Sequence, residues 1–147
     1  MSKIAEVEAL LKQAMREREE QRIATLRLVL SALRRGEKDL GRPLSESEEL
    51  QILQRERKQR TEAAEAFAGA GRDEQASKEN AELAIVEELM PSRMSEAELV
   101  ALVDEKIAAS GATSLADLGQ VMSDVMPEVA GRADGSAVSQ IVREKLA

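Results

Sequence analysis

One aromatic residue, Phe67, is all this chain has for a core, so any core must be built from aliphatic side chains and methionine. Aliphatic side chains pack well between helices. The chain also has no run of Val, Ile, Thr and aromatics of the kind strands need, and only three prolines. The fold class that follows is all-α. Hydrophobic residues make up 43% of the sequence, enough for a core and too many for a disordered tail. No apolar run approaches the roughly 20 residues that span a bilayer, and the opening Met-Ser-Lys-Ile-Ala-Glu-Val-Glu is too acidic for a signal peptide. A cytoplasmic protein with no membrane contact is expected.

Spacing and punctuation divide the chain into seven helices. Ile4, Val7, Leu11, Ala14 and Met15 recur at helical intervals over about 3–18. The segment 19–40 is apolar nearly all round between Ile23 and Leu33, which predicts a buried central helix ending at Gly41 and Pro43. Ser45 and Glu48 form a capping box that opens a third helix, to about Ala68, with Leu50, Leu53, Arg57, Arg60, Ala64 and Phe67 on one stripe. Two arginines on an apolar stripe need a carboxylate, and Glu79 or Glu82 on the next helix is the expected partner. Gly69-Ala-Gly71 stops the third helix. Asp73 starts a fourth, to about Leu89, with Ala81, Ala84, Ile85, Glu88 and Leu89 facing the core, and the short turn makes the two an antiparallel hairpin. Pro91-Ser-Arg-Met94 marks the expected boundary between a helical domain over 1–91 and a smaller three-helix domain over 95–147.

In that second domain, Ser95 with Glu98 reads as a second capping box, before a stripe of Leu99, Leu102, Val103 and Ile107 that ends at Gly111. Ser114 with Asp117 starts a sixth helix through Val121, Met122 and Val125, and Pro127 kinks or stops it. Asp134 is placed to cap a seventh, striped by Val138, Ile141, Val142 and Leu146.

Composition removes whole classes of chemistry. Without His or Cys there is no Ser-His-Asp triad, no thiolate nucleophile and no His- or thiolate-bound metal. The glycines stand singly rather than in a phosphate loop. No cofactor and no catalytic residue is indicated. Carboxylates are abundant, but as Glu runs on solvated helix faces.

The net charge of -7 argues against a general nucleic-acid binder, yet it is unevenly spread. Arg22 to Arg35 holds four arginines and no acid, and Arg55 to Arg60 holds four bases and one acid. Arg55, Lys58 and Arg60 are candidates for a basic patch. The competing expectation is a network of salt bridges between helices.

Two blocks resemble the GatB/YqeY family. The first is Arg55-Glu-Arg-Lys-Gln-Arg60, Phe67, Ala70-Gly-Arg72, Lys78-Glu79, Glu82-Leu83-Ala-Ile85 and Leu89-Met-Pro91. The second is Gly119-Gln-Val-Met122, Val125-Met-Pro127 and Gly131-Arg-Ala-Asp-Gly135, with Val138 and Leu146. Their order and spacing are similar to the stand-alone YqeY-like proteins. The second block also resembles the GatB tail domain of the tRNA-dependent amidotransferases.

That resemblance implies a link to carbon–nitrogen ligase chemistry with glutamine as amido donor, and a tail module that helps hold tRNA. The chain carries no counterpart of the amidotransferase catalytic cradle, so an accessory role is implied rather than catalysis alone, and whether it is an enzyme stays open. Gln120 stands where family members commonly carry Lys, and Glu128 and Ala130 where bases are common. The basic residues left in the module are Arg132, Arg143 and Lys145, with Arg93 just before it; with Gly131 they are the candidate nucleic-acid contacts. The expected partner is tRNA or a tRNA-handling enzyme. The alternative is a protein–protein adaptor that docks a basic partner without RNA.

Overall fold

The computed structural model describes residues 1–147 and is all-helical: α1 (Lys3–Glu17), α2 (Glu20–Leu40), α3 (Glu46–Gly69), α4 (Asp73–Glu88), α5 (Glu96–Ser110), α6 (Leu118–Val129) and α7 (Gly135–Leu146). A short 3-10 turn, Leu115–Asp117, leads into α6. The chain divides into two compact units, Met1–Met90 and Pro91–Ala147.

In the first unit, α1 and α2 pack as one pair and α3 and α4 as another, with α2 against both helices of the hairpin. Its core is aliphatic throughout: Val7, Ala14, Leu26, Val29, Leu30, Leu33, Leu53, Val86, Leu89 and Met90. Burial of each large side chain contributes about 1.5–3 kcal/mol. Arg18, in the left-handed conformation at φ 56°, and the non-helical Glu19 break α1 from α2. Gly41 closes α2 at φ 69°, and the Ser45–Glu48 capping box opens α3 with both reciprocal bonds made. The buried Glu49 carboxylate accepts the Lys3 N–H at 2.6 Å, which puts negative charge at the amino end of α1.

Three expectations about faces change here. Helix α2 is not enclosed all round: Ala24 is exposed and Leu28 is 54% exposed, because its outward face borders a groove beside the hairpin. On α4 the fully buried residue is Val86, whereas Ala84 and Glu88 face solvent. Glu88 instead pairs with Arg22 of α2 at 2.9 Å. Phe67 is only half buried.

Gly36, in the middle of α2, has a tertiary reason. A Cβ there would stand 2.6 Å from Ile52 Cδ1 and 3.3 Å from Leu44 Cδ2. Glycine lets α3 approach closely, at a helix-propensity cost of about 1 kcal/mol relative to Ala.

The second unit closes α5, α6 and α7 around Leu99, Val103, Val121, Val125, Val129, Ala133, Val138, Val142 and Leu146. Helix α6 runs two residues past Pro127, whose missing N–H matters little so close to the end. The Ser95 hydroxyl caps α5 by accepting the Glu98 N–H at 3.1 Å, but the Glu98 carboxylate does not return the bond; it faces Arg132. Asp134 likewise makes no side-chain cap on α7 and pairs with Arg93. Asp117 does behave as a local cap, accepting from the Thr113 and Ser114 amides at 2.9 and 3.3 Å.

Candidate functional site

The connector between α6 and α7 is built from two successive left-handed residues, Ala130 at φ 46° and Gly131 at φ 80°. They reverse the chain, bury Gly131 and Ala133, and turn Arg132 outward. The Arg132 N–H donates to the Val129 carbonyl at 3.0 Å, and its carbonyl accepts the Met94 N–H at 2.8 Å. Its guanidinium donates through Nε to the Ser92 carbonyl at 2.8 Å and through Nη2 to Glu98 at 3.2 Å. Arg93 reaches Asp134 at 3.5 Å. The connector and the segment before α5 are thus clasped by a backbone bond and by the side chains of Arg132 and Arg93. Arg93, Gly131 and Arg132 are brought together, with two arginines balanced by two carboxylates.

Arg143 and Lys145 stand apart from that clasp, in the last turn of α7. Lys145 reaches Asp104 of α5 at 3.3 Å. Arg143 donates to the Ser139 hydroxyl at 3.2 Å and has no carboxylate partner. Cations at this end of a helix also favour its dipole by about 0.3–1 kcal/mol, which is reason enough for their presence.

The bases of α3 separate around the helix. Arg55 is exposed and unpaired, and Lys58 faces solvent with Glu62 4.0 Å away. Arg57 and Arg60 turn inward and are 5% and 7% exposed. Arg60 pairs with Glu56 one turn back and lies 3.9 Å from Glu82, one of the two expected carboxylates. At that distance its Nε makes no hydrogen bond. Burial holds the Glu82 carboxyl above the usual range; the neighbouring Glu79 charge adds to this, and Arg60 and Lys78 only partly oppose it.

Glu56, Arg60, Glu79 and Glu82 line a cleft of about 420 Å³ between α2, α3 and α4, together with Leu28, Ser31, Arg35 and Gln59. Sequence reasoning did not find this cleft. Two traces of it were visible: the acid-free run containing Arg35, and the pairing expected of Glu79 or Glu82. Within that run Arg22 and Arg34 find acids, Glu88 and Glu8, whereas Arg27 and Arg35 find none.

No helix is long and apolar enough to cross a membrane, and no group of three or more carboxylates is placed to hold a metal ion. A comparison with curated proteins gives no match. A family model does match, described as Yqey-like protein and covering residues 4–146, and the chain belongs to that family.

Proposed function

We propose that the protein is an accessory factor that associates with tRNA, or with an enzyme that handles charged tRNA, and that its second unit is the point of attachment. Any carbon–nitrogen ligase chemistry with glutamine as amido donor then belongs to the partner, since the chain offers neither His nor Cys as nucleophile or base. The observation that carries the reading is the clasped connector. It displays Arg132 on a short, doubly turned backbone with Arg93 on the segment clasped to it, while Arg143 and Lys145 stand at the far end of α7. Positive side chains held on rigid elements suit phosphate oxygens, which fix position rather than sequence.

The test is charge reversal at the two residues that hold no loop in place. The double substitution Arg143→Glu and Lys145→Glu should weaken tRNA binding, measured by fluorescence anisotropy, and lower the salt slope by about 1.5–2 for two lost phosphate contacts. An unchanged slope overturns attachment through this end of α7.

One observation favours a second reading, the protein–protein adaptor. Arg93, Arg132 and Lys145 each lie within 3.5 Å of a carboxylate, so much of the positive charge in this acidic unit is already neutralised. A basic protein partner meets less opposition there than phosphate does. In that case the same double substitution leaves partner capture intact and there is no RNA binding to lose.

A further inference from the structure

We propose that the cleft between α2 and the α3–α4 hairpin binds a small zwitterion, with its cationic head at Glu79 and Glu82 and its anionic head at Arg35. Charges inside the cleft are unevenly matched. Glu56 is satisfied by Arg60. Arg35, on α2, has no acid within ion-pair distance; on α4, Glu79 and Glu82 hydrogen-bond to each other, and the cations acting on Glu82 are Arg60, 3.9 Å away without a hydrogen bond, and Lys78. One free guanidinium and one undercompensated carboxylate pair therefore face the same space from different helices.

The other side of the same gap is the buried Arg60. It is 7% exposed, lines the cleft, and its Nε has no hydrogen-bond partner. A buried donor without an acceptor costs about 1–3 kcal/mol, so its persistence calls for an explanation. An ammonium group beside Glu79 and Glu82 supplies one. It keeps both carboxylates ionised, and Glu82 then gains by closing its gap onto Nε. Burial and the neighbouring Glu79 favour the protonated form of Glu82, and a ligand cation beside it favours the ionised form instead.

The rest of the lining suits such a ligand. The Ser31 hydroxyl and the Gln59 amide line the cleft as exposed polar groups, and Leu28, Ala32 and Ala63 offer an apolar wall for a short carbon chain. A volume of about 420 Å³ falls among small-molecule sites. The cleft lies wholly within the first unit, so ligand binding there does not depend on how the second unit attaches to RNA.

A homologous series of ω-amino acids, from glycine upward in chain length, reads the distance between the two heads. Each is titrated into the full-length ¹⁵N-labelled chain and followed by amide shifts, beside the alkylammonium and the alkanoate of equal length. The expected result is saturable shifts confined to residues lining the cleft, with one chain length binding best. The singly charged analogues should bind about tenfold weaker or less. Arg35→Gln should abolish the preference over the alkylammonium, and Glu82→Gln the preference over the alkanoate. Retained dispersion in the same spectra shows that these variants fold. An absence of saturable shifts at any length overturns the proposal. So does an alkylammonium that binds as tightly as its amino acid, or selectivity that survives both substitutions.

Discussion

Replacing Arg132 with Ala separates a structural residue from a binding residue. The substitution removes the Nε bond to the Ser92 carbonyl and the contact with Glu98. A hydrogen bond from a charged donor contributes about 1.5–3 kcal/mol, and the side chain is 35% exposed, which places this one near the lower end. The pair with Glu98, itself more than half exposed, adds about 0.2–1 kcal/mol. Arg132→Ala should therefore cost the second unit about 2 kcal/mol. For a domain of this size that lowers Tm by about 8–16 °C. Hydrogen exchange locates the loss: the Met94 amide, bonded to the Arg132 carbonyl, should lose protection first. Glu98→Gln should cost only about 0.5 kcal/mol, since it leaves the Ser92 bond in place. Either of two results refutes the clasp: Arg132→Ala melting within about 2 °C of wild type, or Glu98→Gln costing as much as Arg132→Ala. A variant that keeps its stability and loses tRNA binding would leave Arg132 as a phosphate contact with no part in the clasp.

Four further predictions concern the first unit. Arg60→Met strands Glu56 and Glu82 and should destabilise by about 3 kcal/mol in chemical denaturation, and adding Glu56→Leu together with Glu82→Leu should restore most of it. The side chain of Glu48 has its pKa lowered to about 2, first by its hydrogen bond with Arg42 and then by Ser45. Because the native form holds the charge more strongly, this contribution is complete above the ordinary value of 4.5 and is lost as pH falls through about 2. Carboxyl NMR titration should find that midpoint, and Arg42→Ala should move it upward. Glu82 has the opposite sign. Its contribution fades as pH rises from the unfolded value through the raised native one, so Glu82→Gln should raise stability at neutral pH. Gly36→Val should cost about 1–3 kcal/mol by forcing its side chain into Ile52, and Ile52→Ala in the same chain should recover part of that cost.

The all-α class and the helix ends were legible because both are encoded locally. Ser45 with Glu48, and the left-handed Gly41 and Gly111, act on backbone groups within one turn of themselves. The inward stripe Leu53–Arg57–Arg60–Ala64 was legible because its period is helical whatever the residue type. Faces with apolar residues on several phases were not legible. Between Ile23 and Leu33 nothing in the sequence distinguishes Leu28, on the groove, from Leu26 and Leu30, in the core. On α4, Ile85, Val86 and Leu89 compete for the inward position in the same way. Tertiary pairing also overrode two local cap signals. Glu98 and Asp134 were placed to satisfy helix ends, but Arg132, 34 residues from Glu98, and Arg93 draw them into the clasp. The cleft was hidden for a related reason: Arg35, Gln59 and Glu82 come from three helices and share no local pattern.

Attachment to tRNA through positive side chains on the second unit stands or falls on an anisotropy titration of the intact chain against total tRNA at several salt concentrations. Binding should saturate, and its logarithm should fall linearly with the logarithm of salt. The expected slope is about -2 to -4 for the four basic candidates Arg93, Arg132, Arg143 and Lys145. No binding at low salt, or binding indifferent to salt, would contradict attachment by these side chains.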